Sequence, residues 1–322
     1  MRANGPNDEF GLRDEFPEDV LNDARRQAQA FDETDLRGRL DLTRETIITI
    51  DPVDARDFDD AISIRNLDNG NYEIGVHIAD VSHFVAAGSV LDKSAYERAT
   101  SVYLPDRVNP MLPETISNEL CSLRPNEDKF TFSVIFQMDH RGEIKHKWIG
   151  RTIIHSNHRF TYEEVQEIIE TKQGLYQDEV LLLNELAQTF RKRRFDNGAI
   201  NFSSTEVRFK LDETGKPIGI VVKESKEAHK LIEEFMLLAN RRVAEFAGKK
   251  SGQRRTFVYR VHDVPAADKI SAFADFAKKF GYRVSTGTEK EIAHSLNRLM
   301  KDVSGKKEQN VLEQLAIRTM AK

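Results

Sequence analysis

The stretch that decides this chain's reading is TIITIDPVDARDFDDAISI, Thr46–Ile64, in which five aspartates, Asp51, Asp54, Asp57, Asp59 and Asp60, fall within ten residues. β-prone apolar segments flank it on both sides. Like charges a few ångströms apart repel by about 1 kcal/mol per pair in water, and by far more in a drier site. A folded chain keeps such a cluster when cations or protons neutralise it. Hard oxygen donors on a compact loop suit Mg²⁺, which usually takes a substrate phosphate as a further ligand. The bland alternative is a solvated acidic turn. Phe58, Ala61 and Ile62, threaded through the run, argue against it because they pull the loop toward a core.

Working outward, 322 residues with 39% apolar content suffice for one large or two ordinary domains with real cores. A net charge of -5 and a pI near 6.0 exclude a chain that coats nucleic acid by charge alone, but not a nuclease, whose active site is itself acidic. Cys121 is the single cysteine, which excludes an internal disulfide framework and fits a reducing compartment. Its apolar setting in NELCSLRP reads as a buried structural thiol. No apolar run reaches the ~18 residues of a membrane span, and the polar start MRANGPNDEFGLRDEF has no signal-peptide core. The expectation is a cytoplasmic chain with no membrane and no disulfide-linked partner.

Residues 1 to 16 read as a lead-in, and PEDVLNDARRQAQAF, Pro17–Phe31, as a helix. Strand signals then dominate. Thr46–Ile50 leads into the aspartates, and Ala61–Ile64 and Tyr72–Ala79 form a hairpin across the turn Asp68–Asn71. Phe130–Met138 with Ile144–His155, and Asn201–Leu211 with Ile218–Lys223, read as further hairpins. Helical spacing marks Tyr162–Thr171, Asp178–Phe195, Lys226–Ala247, Ala266–Phe280, Glu289–Lys301 and Val311–Lys322. Asn197-Gly198 and Gly281 are helix stops. This alternation predicts an α+β fold with a mixed, largely antiparallel sheet. The last helix stops without a cap, so the expectation is a piece of a longer protein or a short terminal helix.

Spacing gives the loop a geometry. Asp51 ends a strand; Asp57 and Asp59, two apart, point the same way in an extended segment, and Asp60 points to the other side. Three or four carboxylates then surround one or two Mg²⁺ ions, and two metals about 3.5–4 Å apart suit phosphodiester hydrolysis. An EF-hand fails, since counting from Asp57 the sixth position is Ile62 and the twelfth Asp68 rather than Gly and Glu. No GxxxxGK[ST] or GxGxxG run occurs. His77 and His83, six apart without supporting cysteines, read as structural rather than zinc ligands.

At this point the chain resembles the catalytic RNB domain of RNase II/RNase R (VacB)-type 3′→5′ exoribonucleases, the RNase R branch in particular. The TIDPVDARDFDDAISI run carries the resemblance. It continues through YEIGVHIADVSHFV (Tyr72–Val85), AYERATSVYLPDRVNPMLPETISNELCSLRP (Ala95–Pro125), GAINF (Gly198–Phe202) and EAHKLIEEFMLLAN (Glu227–Asn240). The resemblance implies an N-terminal lead-in and helix over 1–40 and a catalytic domain over 41–322 whose C-terminal part is missing. It also implies processive Mg²⁺-dependent hydrolysis of single-stranded RNA from its 3′ end to nucleoside monophosphates, with Mn²⁺ able to substitute.

Position by position, the resemblance assigns Asp51, Asp57, Asp59 and Asp60 to the metal site, with Asp59 closest to catalysis; Asp54 is not a ligand. It makes Tyr103 and Phe202 the aromatics between which bases stack, a grip of ~1–3 kcal/mol per base that reads no sequence. The other reading of each ring is ordinary core packing. Glu234 matches a glutamate that contacts the terminal nucleotide. It lies at the edge of a helix face made by Leu231, Ile232, Phe235, Leu238, Ala239, Val243 and Phe246, with Glu233 further toward solvent. Without the resemblance it reads equally as a surface acid. The basic pairs and runs Arg191–Arg194, Lys249-Lys250, Arg254-Arg255 and Lys306-Lys307 line an RNA path or form solvated faces.

The chain departs from the family's full pattern. It has no cold-shock or S1 domain, and no TSPIRRYPD-like block to aim an arginine at the scissile phosphate, a main source of transition-state stabilisation. The expectation is a metal loop with weak or no turnover in this polypeptide. The alternatives are a non-catalytic RNA-binding or regulatory fragment of the same fold, and a metal phosphoesterase acting on DNA or small phosphates.

Overall fold

The computed structural model describes residues 11, 13, 15–29, 33–105, 107–202, 206–223, 225–248, 256–261 and 264–320. Most of the lead-in and the pairs Lys249-Lys250 and Arg254-Arg255 lie outside the described residues. The chain divides into two compact units, Met1–Ala187 with Val207–Val243, and Gln188–Glu206 with Ala244–Lys322.

The first unit is built on a seven-stranded sheet of order β1-β8-β7-β4-β3-β2-β9. Its strands are β1 (Leu40–Leu42), β2 (Ile47–Asp51), β3 (Asp60–Asn66), β4 (Tyr72–Ala79), β7 (Asp128–Met138), β8 (Ile144–His155) and β9 (His158–Thr161). The central ladders are antiparallel, and only the outer pairs β1–β8 and β2–β9 are parallel. The fold is therefore α+β with a mixed, largely antiparallel sheet. Two-stranded pairings join β5 (Val102–Tyr103) to β6 (Val108–Asn109), and β10 (Glu206–Leu211) to β11 (Pro217–Lys223). Asn201 and Phe202, expected in the third hairpin, lie outside a strand, and its first strand is described over Glu206–Leu211.

Helix α1 (Glu18–Gln29) buries Val20 and Ala24 in a core shared with Ile47, Phe58, Ala61, Phe84, Leu91, Ile116, Leu123 and Phe130. Short helices α2 (Val81–Phe84) and α3 (Val90–Arg98) and a π turn at Thr115–Leu120 cover that core. The start of α2 is pinned by a buried ion pair, Arg39 Nη2 to Asp80 Oδ2 at 2.8 Å, with Asp80 Oδ1 accepting from Ser82 Oγ at 2.8 Å. His77 is fully buried in the middle of the sheet. Its Nε2 lies 3.0 Å from Ser63 Oγ and its Nδ1 2.7 Å from Ser133 Oγ, and burial pushes its pKa down to about 3. Such a neutral, doubly hydrogen-bonded imidazole is structural. His83 packs edge-on against Phe84 and Phe130, with centroids 4.9 and 4.8 Å away.

Helix α4 (Tyr162–Thr171) follows β9 directly, fixed by a capping box in which Thr161 and Glu164 satisfy each other's backbone N–H groups. The division between units falls within α5 (Gln177–Asp196) and α6 (Glu227–Gly248). The second unit has its own core: Phe273 and Ala277 of α7 (Ala267–Lys279), Leu296, Leu299, Met300 and Val303 of α8 (Glu289–Val303), and Leu312 and Ala316 of α9 (Gln309–Thr319). Thr288 and Glu291 form a second capping box at the start of α8.

Candidate functional site

β2 and β3 are antiparallel neighbours, so Asp51, the last residue of β2, and Asp60, the first of β3, meet at one end of the sheet. The intervening loop is held along its length. Ala55 N–H donates to the Pro52 carbonyl at 3.1 Å. Phe58 drives its ring into the core, its N–H donating to Ser122 Oγ at 3.0 Å and its carbonyl accepting from Leu123 N–H at 2.8 Å. Ser122, itself buried, donates onward to the Arg56 carbonyl at 3.2 Å. The Asp59 carbonyl accepts from Ala79 N–H at 3.0 Å. With Phe58 turned inward and backbone pinned on both sides, Asp57 and Asp59 are left beside Asp60 and Asp51.

Electrostatics shows which acids interact. Asp51 is 9% exposed, and its carboxyl is pushed up to about 7, by burial first and by Asp60 second, with Thr49 and Arg159 opposing in part. Asp60 is pushed up to about 6 by burial and then by Asp59. Asp59 is the more open of these, yet desolvation and then Asp57 raise it as well. Asp51, Asp60 and Asp59 are thus each raised by the next acid along, with Asp57 last in the row. Asp60 interacts with Asp51 on one side and with Asp59 on the other. Asp54 is exposed.

Each end of the row meets a tyrosine. Tyr103 on β5 is 70% exposed, which overturns the core-packing reading of this ring. Its hydroxyl is raised by burial and then by Asp57 and Asp59. Tyr162 stands at the other end, because Asp51 pairs in register with Thr161, the N-cap of α4. Burial, then Asp51 and Asp60, push its phenol up to about 12. Tyr162 also stacks on His229 of α6, with centroids 4.0 Å apart and planes 10° apart. Sequence reasoning did not single it out. Helical spacing marks the helix that Tyr162 begins, but nothing local announces a parallel pairing with β2 more than a hundred residues earlier.

The remaining candidates are placed differently. Glu234 is buried on α6, five residues beyond His229, while Glu233 is exposed, so the acid at the edge of the apolar face is turned inward. Phe202 is partly buried against the core of α7, α8 and α9, in a segment held by Asn297, whose Oδ1 accepts from Asn201 N–H and whose Nδ2 donates to the Ala199 carbonyl, both at 2.8 Å. Its ring packs in the second unit; the acid row and Tyr103 belong to the first. Arg191 and Arg194 fold back over Phe195, and Lys306 donates to the Tyr282 hydroxyl at 3.0 Å. Cys121 is buried, its thiol pushed up to about 12 chiefly by burial and next by Asp59, so it is no nucleophile.

Whether the acids suit divalent cations can be judged from the donor set. Among the described residues, no three His, Cys, Asp or Glu side chains close into a ready metal cage. An open row is still compatible with Mg²⁺, which keeps several waters and takes one or two carboxylates plus substrate phosphates. The Oδ2 of Asp51 is buried with no hydrogen-bond partner. A buried acceptor left unsatisfied costs about 1–3 kcal/mol, more when charged. A cation would supply the missing partner and the missing charge together.

An acid row at the end of a mostly antiparallel sheet, with an exposed aromatic beside it, defines a class of domain built around clustered carboxylates. The chain belongs to the RNB domain family, whose model matches residues 39–322. Ribonuclease R 1 of Lactococcus lactis is 38% identical over 95% of this chain and 38% of its own length. DIS3-like exonuclease 2 of Schizosaccharomyces pombe is 40% identical over 95% of this chain and 34% of its own. RNase R of Mycoplasma genitalium, solved in complex with ribose methylated single-stranded RNA, matches with a TM-score of 0.86 at 27% identity, over 97% of this chain and 49% of that one. The chain therefore spans about a third to a half of the relatives it matches. Among the described residues, no helix is long and apolar enough to cross a membrane.

Proposed function

We propose that this chain carries the acid cluster of a Mg²⁺-dependent 3′→5′ exoribonuclease that hydrolyses single-stranded RNA to nucleoside monophosphates. The observation that carries the reading is the cluster of raised acids Asp51, Asp60 and Asp59, with Asp57 beside Asp59, the orphaned Asp51 Oδ2 at one end and exposed Tyr103 at the other. Those four side chains would hold Mg²⁺, or Mn²⁺ in its place. Bound there, such ions would supply Lewis-acid activation of a water and charge neutralisation at the phosphodiester. Asp59 is assigned the role closest to catalysis on the family resemblance, and its being the more open of the raised acids supports that reading.

Tyr103 offers an open ring for a base near the 3′ end, and its position beside Asp57 and Asp59 couples that grip to the acids. Phe202 is assigned to the second stacking contact and Glu234 to the terminal nucleotide, on the family resemblance. A reducing, cytoplasmic setting accords with the single buried thiol of Cys121.

The test is release of mononucleotides from 5′-labelled single-stranded RNA, and from the matching DNA, with Mg²⁺ or Mn²⁺, for the parent chain and Asp59→Asn. The reading expects at most slow, RNA-selective shortening by the parent and retained binding without shortening by the variant; brisk turnover by the parent overturns the expectation of weak or no activity in this polypeptide. Equal shortening by both refutes Asp59's role. RNA binding by the parent with no hydrolysis in either metal replaces the reading by a non-catalytic RNA-binding one. Equal action on RNA and DNA points to a general phosphoesterase.

A further inference from the structure

Arg159 lies on β9 with its Cα opposite Thr49 of β2, two residues before Asp51. Its Nη2 donates to the carbonyl of Pro52, the residue after Asp51, at 2.5 Å. Its guanidinium carbon sits 5.4 Å from the centroid of Phe58, the residue between Asp57 and Asp59. One planar group therefore touches both ends of the aspartate loop. Phe58 is fastened from behind by Ser122 and Leu123, so the guanidinium rests on an anchored ring rather than a free one. The Arg159 Nε is buried without a hydrogen-bond partner. Leaving a buried donor unpaired is costly, and the fork is committed to the loop in spite of it.

We propose that Arg159 is a positioning residue: by tying Pro52 to the Phe58 ring it fixes the span of the loop, and with it the placing of Asp51 relative to Asp57 and Asp59 for divalent cations. This rests on the metal reading above. It also makes a prediction of distinctive sign. A guanidinium acting only as a counter-charge repels cations, so its removal tightens metal binding. A guanidinium that holds ligands in place does the opposite, since outer partners of metal ligands are typically worth about 10–100-fold in affinity.

The experiment is Mn²⁺ titration of the whole chain followed by electron paramagnetic resonance, with circular dichroism and Trp148 fluorescence reporting the fold. Arg159→Gln is expected to bind Mn²⁺ about 10–100-fold more weakly than the parent while keeping both fold signals. Arg159→Lys keeps the charge, but a single ammonium cannot reproduce a planar fork that reaches both a carbonyl and a ring, and it is expected to stay weakened. Should the glutamine variant not fold, the lysine variant decides alone. Parental or tighter affinity in the folded glutamine variant, or parental affinity in the lysine variant, overturns the positioning role. A parent chain that binds no Mn²⁺ overturns the metal reading, and this role with it.

Discussion

Asp51→Asn is expected to make the metal-free chain more stable at pH 8, although it removes a charged group from the proposed site. The Asp51 carboxyl, 9% exposed, is pushed up from 3.8 to about 7 by burial and by Asp60. The folded chain thus holds this proton more tightly than the unfolded one. Stability contributed by the protonated form is complete below about pH 4, falls as pH rises toward 7, and is gone above it. At about 1.4 kcal/mol per pH unit, the penalty for the ionised group approaches about 4 kcal/mol, a ceiling because Asp60 shares the same repulsion. Asparagine fills the same space without the charge and escapes that penalty.

Trp148, the single tryptophan, lies on β8 of the same sheet and reports its unfolding. Urea titrations in EDTA should show the parent losing stability between pH 5 and pH 8 and the variant losing clearly less, the remainder coming from Asp60, raised to about 6, and Asp59. Added Mg²⁺ at pH 8 should raise the parent's midpoint by mass action on the folded state and leave the variant's nearly unmoved. A parent midpoint that does not fall with pH, or a variant less stable than the parent at pH 8 in EDTA, refutes the account of Asp51 as a strained, cation-seeking ligand.

Tyr103→Ala should weaken binding of a 5′-labelled RNA oligonucleotide in EDTA by about 1–3 kcal/mol, read by fluorescence anisotropy. Its stability should stay within about 0.5 kcal/mol of the parent, since the ring is exposed; unchanged affinity would exclude the stacking role. Gly75→Ala should destabilise the first unit by about 1–3 kcal/mol in urea, because a Cβ there lies 2.5 Å from both His77 Nε2 and Ser63 Oγ. A level midpoint would mean that the imidazole is not held as described. Cys121 should resist a disulfide exchange reagent in the native chain and react at once in denaturant, because its thiol is buried and raised to about 12; rapid native labelling would contradict its placement.

Helix α4 runs over Tyr162–Thr171 as its spacing indicates, because Thr161 and Glu164 carry the start signal within four residues of chain. The β7–β8 hairpin is legible for a similar reason: long alternating strands are joined by a short turn at Asp139–Gly142. The elements that escaped are short or gain their stability from distant partners. β9 has four residues and exists because β2 supplies its ladder. α2 and α3 lack room for a clear period; Asp80 accepts from Ser82 at the start of α2, and Ser89 caps α3. At the site, the four aspartates declare themselves by density of charge. Tyr162, Arg159 and Ser122 do not, since each is an ordinary residue until the fold brings it to the loop.

By itself, then, the sequence determined that carboxylates are concentrated between two strands and that an α+β scaffold surrounds them, because charge density and apolar periodicity are local properties of a chain. Only the tertiary structure decided which carboxylates lose their water, where Asp51 leaves an oxygen unpartnered, and which groups brace the loop. Desolvation and hydrogen-bond satisfaction depend on what packs against a group, and here β9, α4 and the Ser122–Leu123 segment come from far along the chain.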